Sequence, residues 1–188
     1  MPPRTKIDKS SILDVALDIV RRSGIESINS RSIANELGCS TQPIFSNYET
    51  MEELKSDIIE KATEIFSQYC RDYISSGKYP QYKSVGMAYI SFASDETELF
   101  KILFMRDRSH ESSISNITFH GEVLTALSND LGLDEEQVNR FHLEMWICVH
   151  GIATMIATKY LTLSEDMISE ILTDMFNGQK SVFIKEKI

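Results

Sequence analysis

The 188 residues are 42% hydrophobic and 25% charged, with a formal net charge of −9. These are ordinary proportions for a soluble globular chain of one or two domains with a real core. They exclude a low-complexity chain, and the longest uncharged run, residues 145–158, is interrupted by His150 and Thr154 and falls short of the roughly 20 residues that span a bilayer.

The first six residues carry two prolines, Arg4 and Lys6. Such an arm is equally compatible with tracking a DNA backbone or minor groove and with a frayed terminus. Residues 10 or 11 to 23 read as a helix with a buried stripe of Ile12, Leu13, Ala16, Leu17, Ile19 and Val20, closed by Gly24. Asn29 then stands as a cap before a short helix whose apolar positions are Ile33, Ala34 and Leu37. Gly38 follows at once and supplies a left-handed turn.

Ser40 is the expected cap of the next helix, with Thr41, Gln42 and Pro43 as its first residues, where a missing N–H does no harm. Ile44, Phe45 and Tyr48 are its expected apolar anchors, while Thr41, Gln42, Ser46 and Asn47 point outward. Amide side chains can pair with adenine, and a threonine methyl can touch thymine. Two short helices about a tight turn have the layout of a helix-turn-helix DNA reader; the same local chemistry also suits a pair of surface helices in an ordinary bundle.

A long fourth helix spans about residues 50–76, opened by a Thr50/Glu53 capping box and keyed by Leu54, Ile58, Ile65, Tyr69 and Tyr73. Further helices are expected at 82–93, 96–106, 114–131, 134–161 and 164–177, with Gly178 closing the last. No stretch alternates as a strand does. The expected architecture is all-α: a three-helix head, residues 1–49, joined by a long helix to a helical bundle within 50–188, about nine helices in all.

Charge is divided between these parts. Residues 1–48 hold six basic residues (Arg4, Lys6, Lys9, Arg21, Arg22, Arg31) against five acids, a net +1, and residues 49–188 hold 13 against 23, a net −10. The acid load therefore lies away from the reader, but +1 is a thin footprint for DNA and implies modest non-specific affinity.

Three residue sets stand out in the body. On the last helix Met167, Ile168, Ile171, Leu172, Met175 and Phe176 form a wide apolar face, and the small residues Gly151, Ala153 and Ala157 on the helix before it would let a neighbour approach. These stripes suit either a dimer seam or the intrachain core. Tyr89, Phe92, Phe100, Phe104, Met105, Phe119, Met145, Trp146 and Met155, with His150, are candidates to line an adaptable ligand cavity; most are equally at home in a plain core. His120, His142 and His150 lack the spacing of a metal site. No nucleophile elbow or phosphate loop is present, so no enzyme, metal or cofactor is expected. Three scattered cysteines (Cys39, Cys70, Cys148) make no disulfide framework and suit a reducing cytoplasm, and no N-terminal segment has signal-peptide form.

Residues 12–54 resemble the DNA-binding domain of the TetR family of bacterial regulators. The resemblance rests on Ile12, Ala16, Ile19, Gly24, Ile33-Ala34, Gly38-Cys39-Ser40, Phe45, Tyr48 and Leu54. Phe45 stands where the family has a tyrosine, Met51 where it has a phosphate-gripping lysine, and Cys39 where it has a valine. Trp146-Ile-Cys-Val-His150-Gly151, Tyr89-Ile-Ser-Phe-Ala and Leu99-Phe-Lys-Ile-Leu-Phe104 resemble one subclass of the family's ligand domain.

The resemblance implies a homodimeric repressor of a palindromic operator. It implies DNA contacts from Arg31, Ser40, Thr41, Gln42, Pro43, Ser46, Asn47 and Tyr48, and a dimer seam through Gly151, Met155, Met167, Ile168, Ile171, Leu172 and Met175. It also implies release by a small-molecule effector in the C-terminal cavity. The alternative is a dimeric helical interaction or ligand-binding protein whose DNA binding is weak or lost.

Overall fold

The computed structural model describes residues 7–107 and 120–185, and among them the chain forms nine α-helices, one 3₁₀ turn and no strand. The helices are α1 (Lys9–Ser23), α2 (Ser30–Glu36), α3 (Gln42–Asn47), α4 (Met51–Ser75), α5 (Gln81–Asp95), α6 (Thr97–Phe104), α7 (His120–Leu131), α8 (Glu135–Ala157) and α9 (Glu165–Lys185). The fold is all-α, as the periodicity predicts. The N-terminal arm, Phe119 and the first part of the helix expected at 114–131 lie outside the described residues. No described helix is long and apolar enough to cross a membrane.

Contacts divide the chain into two compact units, residues 1–65 with 96–106, and residues 66–95 with 107–188. α4 is one unbroken helix that begins in the first and ends in the second.

In the first unit, Asp8 caps α1 through its bond from the Ser11 N–H (2.9 Å), and Gly24 closes it at φ 77°. A Cβ there would sit 3.1 Å from the Glu98 carboxylate. Ile12, Ala16, Leu17, Ile19 and Val20 go inward, and α6 packs against α1 with Leu99 and Phe100 fully buried. Asn29 caps α2 reciprocally: its Oδ1 accepts from the Ser32 N–H (2.9 Å) and Ser32 Oγ accepts from the Asn29 N–H (3.1 Å). α2 ends in a Schellman turn, with Gly38 at φ 63° and the Cys39 N–H bonded to the Ala34 carbonyl.

α3 starts one residue later than the sequence predicts. Thr41, not Ser40, holds the cap position, in a helical conformation (φ −72°, ψ −13°) and without a side-chain cap bond. The turn left by Gly38 already delivers the chain in near-helical geometry, so no hydroxyl cap is required. At α4, Thr50 Oγ1 accepts from the Glu53 N–H (3.1 Å), while Glu53 reaches back to the Glu49 N–H (2.9 Å) instead of that of Thr50.

In the second unit α5 packs most extensively on α8, and α7 and α9 complete the bundle. Phe141 is fully buried and meets Tyr82, Phe176 and Phe183 in tilted or edge-on contacts 5.4–6.4 Å apart. Such pairs add to plain area burial.

Two helix ends depart from expectation. α8 stops at Ala157, four residues early, because Lys159 takes a left-handed φ of 58° and the Tyr160 N–H bonds the Met155 carbonyl (2.8 Å). This is a Schellman end without its usual glycine. α9 passes through Gly178 and continues to Lys185. Burial of Phe183 and the bond from Gln179 to the Phe141 carbonyl (2.8 Å) outweigh the roughly 1 kcal/mol that a glycine costs a helix interior.

Asn29→Ala removes the α2 cap and should lower stability by about 1 kcal/mol, seen as a fall of a few degrees in Tm. An unchanged Tm would show that α2 does not depend on this cap.

Candidate functional site

Two regions carry chemistry. The first is the α2–turn–α3 surface. Ile33 and Ile44 are fully buried and fix the two helices. Thr41 is half-buried and Gln42 is exposed, and neither side chain makes a hydrogen bond among the described residues. Ser40 and Ser46 are exposed; Ser46 Oγ donates to the Gln42 carbonyl (2.9 Å). Asn47 is half-buried and its amide donates to the Pro43 carbonyl (2.8 Å) and the Ile7 carbonyl (3.4 Å), so it holds the end of α3 more than it faces outward. Pro43 is half-buried on the same helix.

Two assignments change. Phe45, expected as an anchor, is 53% exposed, whereas Tyr48 is 1% exposed, the apolar anchor its spacing predicts and not the DNA contact the resemblance implies. Tyr48 closes α3 against α1 and α4. Lys9 Nζ lies 4.6 Å from the centre of its ring, and burial and the Asp57 carboxylate push its phenol up to about 12. With α3 only six residues long, the chain turns inward at Tyr48 and carries the side chain away from the surface.

The cations of this unit are largely committed. Lys9 pairs with Asp57 (2.9 Å) and Glu53 (3.2 Å), Arg21 with Glu96 through two bonds (2.9 and 3.0 Å), and Arg22 with Glu36 (2.8 Å). Arg31 is exposed at the start of α2 and has no ion pair among the described residues. Exposed ion pairs contribute little stability individually, but each removes a charge that phosphate would otherwise see.

The second region is a cavity of about 340 Å³ inside the second unit. α4, α5, α7, α8 and α9 all contribute to its wall, which is mostly apolar, with Phe66, Tyr89, Val123, Met145, Trp146 and Phe176 among its side chains. Two parallel ties join α5 to α8: Tyr82 Oη to His142 Nδ1 (3.1 Å) and Tyr89 Oη to His150 Nδ1 (2.8 Å). His150 also stacks on Trp146, centroids 5.0 Å apart and planes 16° from parallel. Burial pushes the Tyr82 phenol well above its ordinary value and the His150 imidazole below its own.

Of the predicted lining residues, Tyr89, Met145 and Trp146 are on the wall, whereas Phe100 is buried in the first unit and Met155 is exposed. His150 braces both from behind. Phe92 is fully buried and packs on Phe66 and Tyr69 in the core. Phe104 and Met105 belong to the first unit and do not line the cavity, because α6 folds onto α1. Phe119 lies outside the described residues. Tyr82, Lys83 and Thr173 line the cavity without a sequence signal that marked them, since each sits one helical step from an ordinary core position. Among the described residues no cluster of His, Cys, Asp and Glu is arranged to hold a metal ion.

The outer faces of α8 and α9 are also revised. Ile168 (6% exposed) and Leu172 (3%) are intrachain core, as Leu172 Cδ1 packs 3.3 Å from the Cβ that Gly86 lacks. Met155, Met167 and Met175 are exposed, Ile171 is half-buried, and a Cβ on Gly151 would meet open space. Leu143 and Ile147 extend the α8 stripe at the same four-residue step, and Val182 extends that of α9. These exposed apolar side chains share the outer faces of α8 and α9.

Residues 82–177 match the tetracyclin repressor-like C-terminal domain family. No curated protein sequence matches the chain. Among solved structures, a TetR-like transcriptional regulator from Rhodococcus sp. is similar at TM-score 0.65 and 14% identity, covering 94% of this chain and 96% of that one. A putative TetR-family regulator from Vibrio parahaemolyticus is similar at TM-score 0.58 and 15% identity, covering 90% and 96%. The multidrug binding protein EbrR, solved with imidazole, is similar at TM-score 0.56 and 16% identity, covering 93% and 96%. At these identities the likeness is one of fold.

Because the folded-state value of His150 lies below the ordinary 6.5, the unfolded chain binds this proton more tightly. Its contribution to stability is therefore complete above about pH 6.5 and is lost as pH falls through the lowered value. The Tm advantage of wild type over His150→Gln should shrink from pH 7.5 to pH 5; a constant difference would refute the linkage.

Proposed function

The chain belongs to the TetR family, and from that premise we propose that it is a sequence-specific DNA-binding transcriptional regulator, a repressor released from its operator by a small molecule held in the cavity. Residues 1–49 are the DNA-binding head and 50–188 the ligand-binding and dimerisation body. The observation that carries the DNA half is the α2–α3 turn: buried Ile33 and Ile44 lock two short helices while Thr41 and Gln42 keep unbonded polar groups at the start of the second. That is how a reader helix presents its first turn to base edges in a major groove. Arg31 and Ser40 supply backbone contacts, and Pro43, Ser46 and Asn47 frame the surface.

Phe45 joins this set. An exposed aromatic on α3 offers apolar contact to a thymine methyl in place of a phenol's bond to phosphate.

Two copies pair through Leu143, Ile147, Gly151 and Met155 of α8 and Met167, Ile171, Met175 and Val182 of α9, a two-fold seam that matches a palindromic operator. An effector that favours the DNA-incompetent state shifts the population through α4, whose Phe66 is on the cavity wall. The assembly works in the cytoplasm without catalysis, metal or cofactor.

Fluorescence anisotropy with the DNA upstream of the chain's own gene tests the reading. Saturable, salt-sensitive binding is expected; no binding at low salt favours a dimeric ligand-binding protein that has lost its DNA. Gln42→Ala should weaken specific binding by about 1–3 kcal/mol and relax preference at one base pair. Equal loss on every sequence would mean that Gln42 only positions the head. Ile147→Glu places a charge in the seam and should shift the chain to monomer by sedimentation, with a matching loss of operator affinity. A dimer that survives the substitution would displace the seam from α8.

A further inference from the structure

The polar part of the cavity wall bears on the chemistry of a ligand, and this inference rests on the effector reading above. Lys83 and Thr173 both line the cavity and meet there, Lys83 Nζ donating to Thr173 Oγ1 (2.7 Å) and to Ser169 Oγ (2.6 Å). An ammonium has three N–H groups, so these two neutral acceptors leave one donor and the whole charge. The Tyr79 ring lies below, 5.0 Å from Lys83 Nζ and 5.3 Å from Lys78 Nζ.

The two lysines differ in their partners. Lys78 is neutralised by Glu165 (2.9 Å), whereas Lys83 has no carboxylate within ion-pair distance among the described residues. None of the residues on the cavity wall is Asp or Glu. The wall therefore carries a single fixed positive charge in a mostly apolar and aromatic chamber, whose other polar side chains include His142, Thr173 and Asn177.

The geometry points to an amphipathic monoanion as the ligand, a carboxylate on an apolar chain or ring system, with its head at Lys83 and its body along Tyr89, Met145, Trp146 and Phe176. A charge-assisted bond to Lys83 is stronger than the neutral bonds that Ser169 and Thr173 provide. An apolar body fits the wall, and 340 Å³ sits at the lower end of the volumes, about 300–1,000 Å³, that hold small organic molecules. That is room for a small organic body such as a chain of about ten carbons or two fused rings. A cationic ligand would bring its charge toward Lys83 with no carboxylate on the wall to receive it, and would be rejected by repulsion as much as by missing contacts.

The chain's one tryptophan is Trp146, on the cavity wall, so its intrinsic fluorescence reports occupancy of this site alone. The full-length protein is titrated with decanoate, decanol, decyltrimethylammonium and 2-naphthoate, each below its aggregation threshold. Decanoate should bind about tenfold more tightly than decanol and about a hundredfold more tightly than the cation, and 2-naphthoate should compete with decanoate. Lys83→Met should erase the advantage of decanoate while leaving decanol binding within about twofold, and Lys83→Arg should keep the advantage, which separates charge from packing.

Equal binding of decanoate and decanol, or a decanoate advantage that survives Lys83→Met, would overturn the anionic assignment while leaving the effector cavity in place. A Trp146 signal unmoved by every probe would overturn the effector reading itself.

Discussion

The contact between α5 and α8 is the constraint from which the second unit follows. Gly86 lets the helices α8 and α9 close on α5 at van der Waals distance, with Leu172 and Val149 3.3 and 3.5 Å from the missing Cβ. Tyr82 and Tyr89 flank that glycine, and each spends its hydroxyl on a histidine of α8. A buried phenol without a partner is costly, so the two ties fix the axial register of the pair as well as its separation. Once α8 gives this face to α5, Leu143, Ile147, Gly151 and Met155 fall together on the far side by helical periodicity alone. The cavity and the outward apolar stripe are thus two consequences of a single packing choice.

The first unit obeys a different constraint. Its ion pairs tie α1 to its neighbours in sequence and space: Lys9 reaches α4, Arg22 reaches α2, and Arg21 reaches the residue that precedes α6. Each bond is weak by itself, being exposed. Arg22 to Glu36 holds the short helix α2, which is too short to hold itself, while the other two pairs hold α4 and the start of α6 against α1. The same arrangement consumes the positive charge on which non-specific DNA binding depends.

Much of this was legible in the sequence, and the failures have identifiable causes. Helices came from apolar periodicity, which is a strong signal in a chain whose strand-forming residues all recur at helical steps. The α2–α3 turn came from Asn29 and Gly38, where side-chain chemistry and backbone conformation coincide. The end of α8 was missed because a left-handed lysine, Lys159, does the work usually given to glycine. The end of α9 was missed for the opposite reason, as tertiary packing at Phe183 carried the helix through Gly178. Periodicity also does not say which of two apolar stripes faces inward. Hence Ile168 and Leu172, expected on the seam, lie in the core, and Phe45, expected as an anchor, lies on the surface, while Tyr48 is the anchor its spacing predicts. The placement of Phe104 and Met105 required knowing that α6 packs on α1, a long-range pairing with no local signature.

The thin positive charge of the head bears on how such a regulator is controlled. Binding through phosphates is tolerant of geometry, because charge attracts over a Debye length, about 8–10 Å at physiological salt. Binding through base edges is not: a hydrogen bond is lost within a fraction of an ångström. On the proposed reading, Arg31 is the one described cation of residues 1–48 without an ion pair, so affinity leans on the Thr41, Gln42 and Phe45 surface and on both heads engaging together. The second head contributes through effective concentration only while the span between the heads matches the operator. A regulator with a strongly basic head would stay near its DNA after the span changed. One with this charge pattern loses the second contact and has little electrostatic attraction left to retain the first. On the proposed reading, a modest preference of the effector for the mismatched state would then suffice for release, and the acidic residues of 49–188, net −10, would oppose rebinding at non-specific sites.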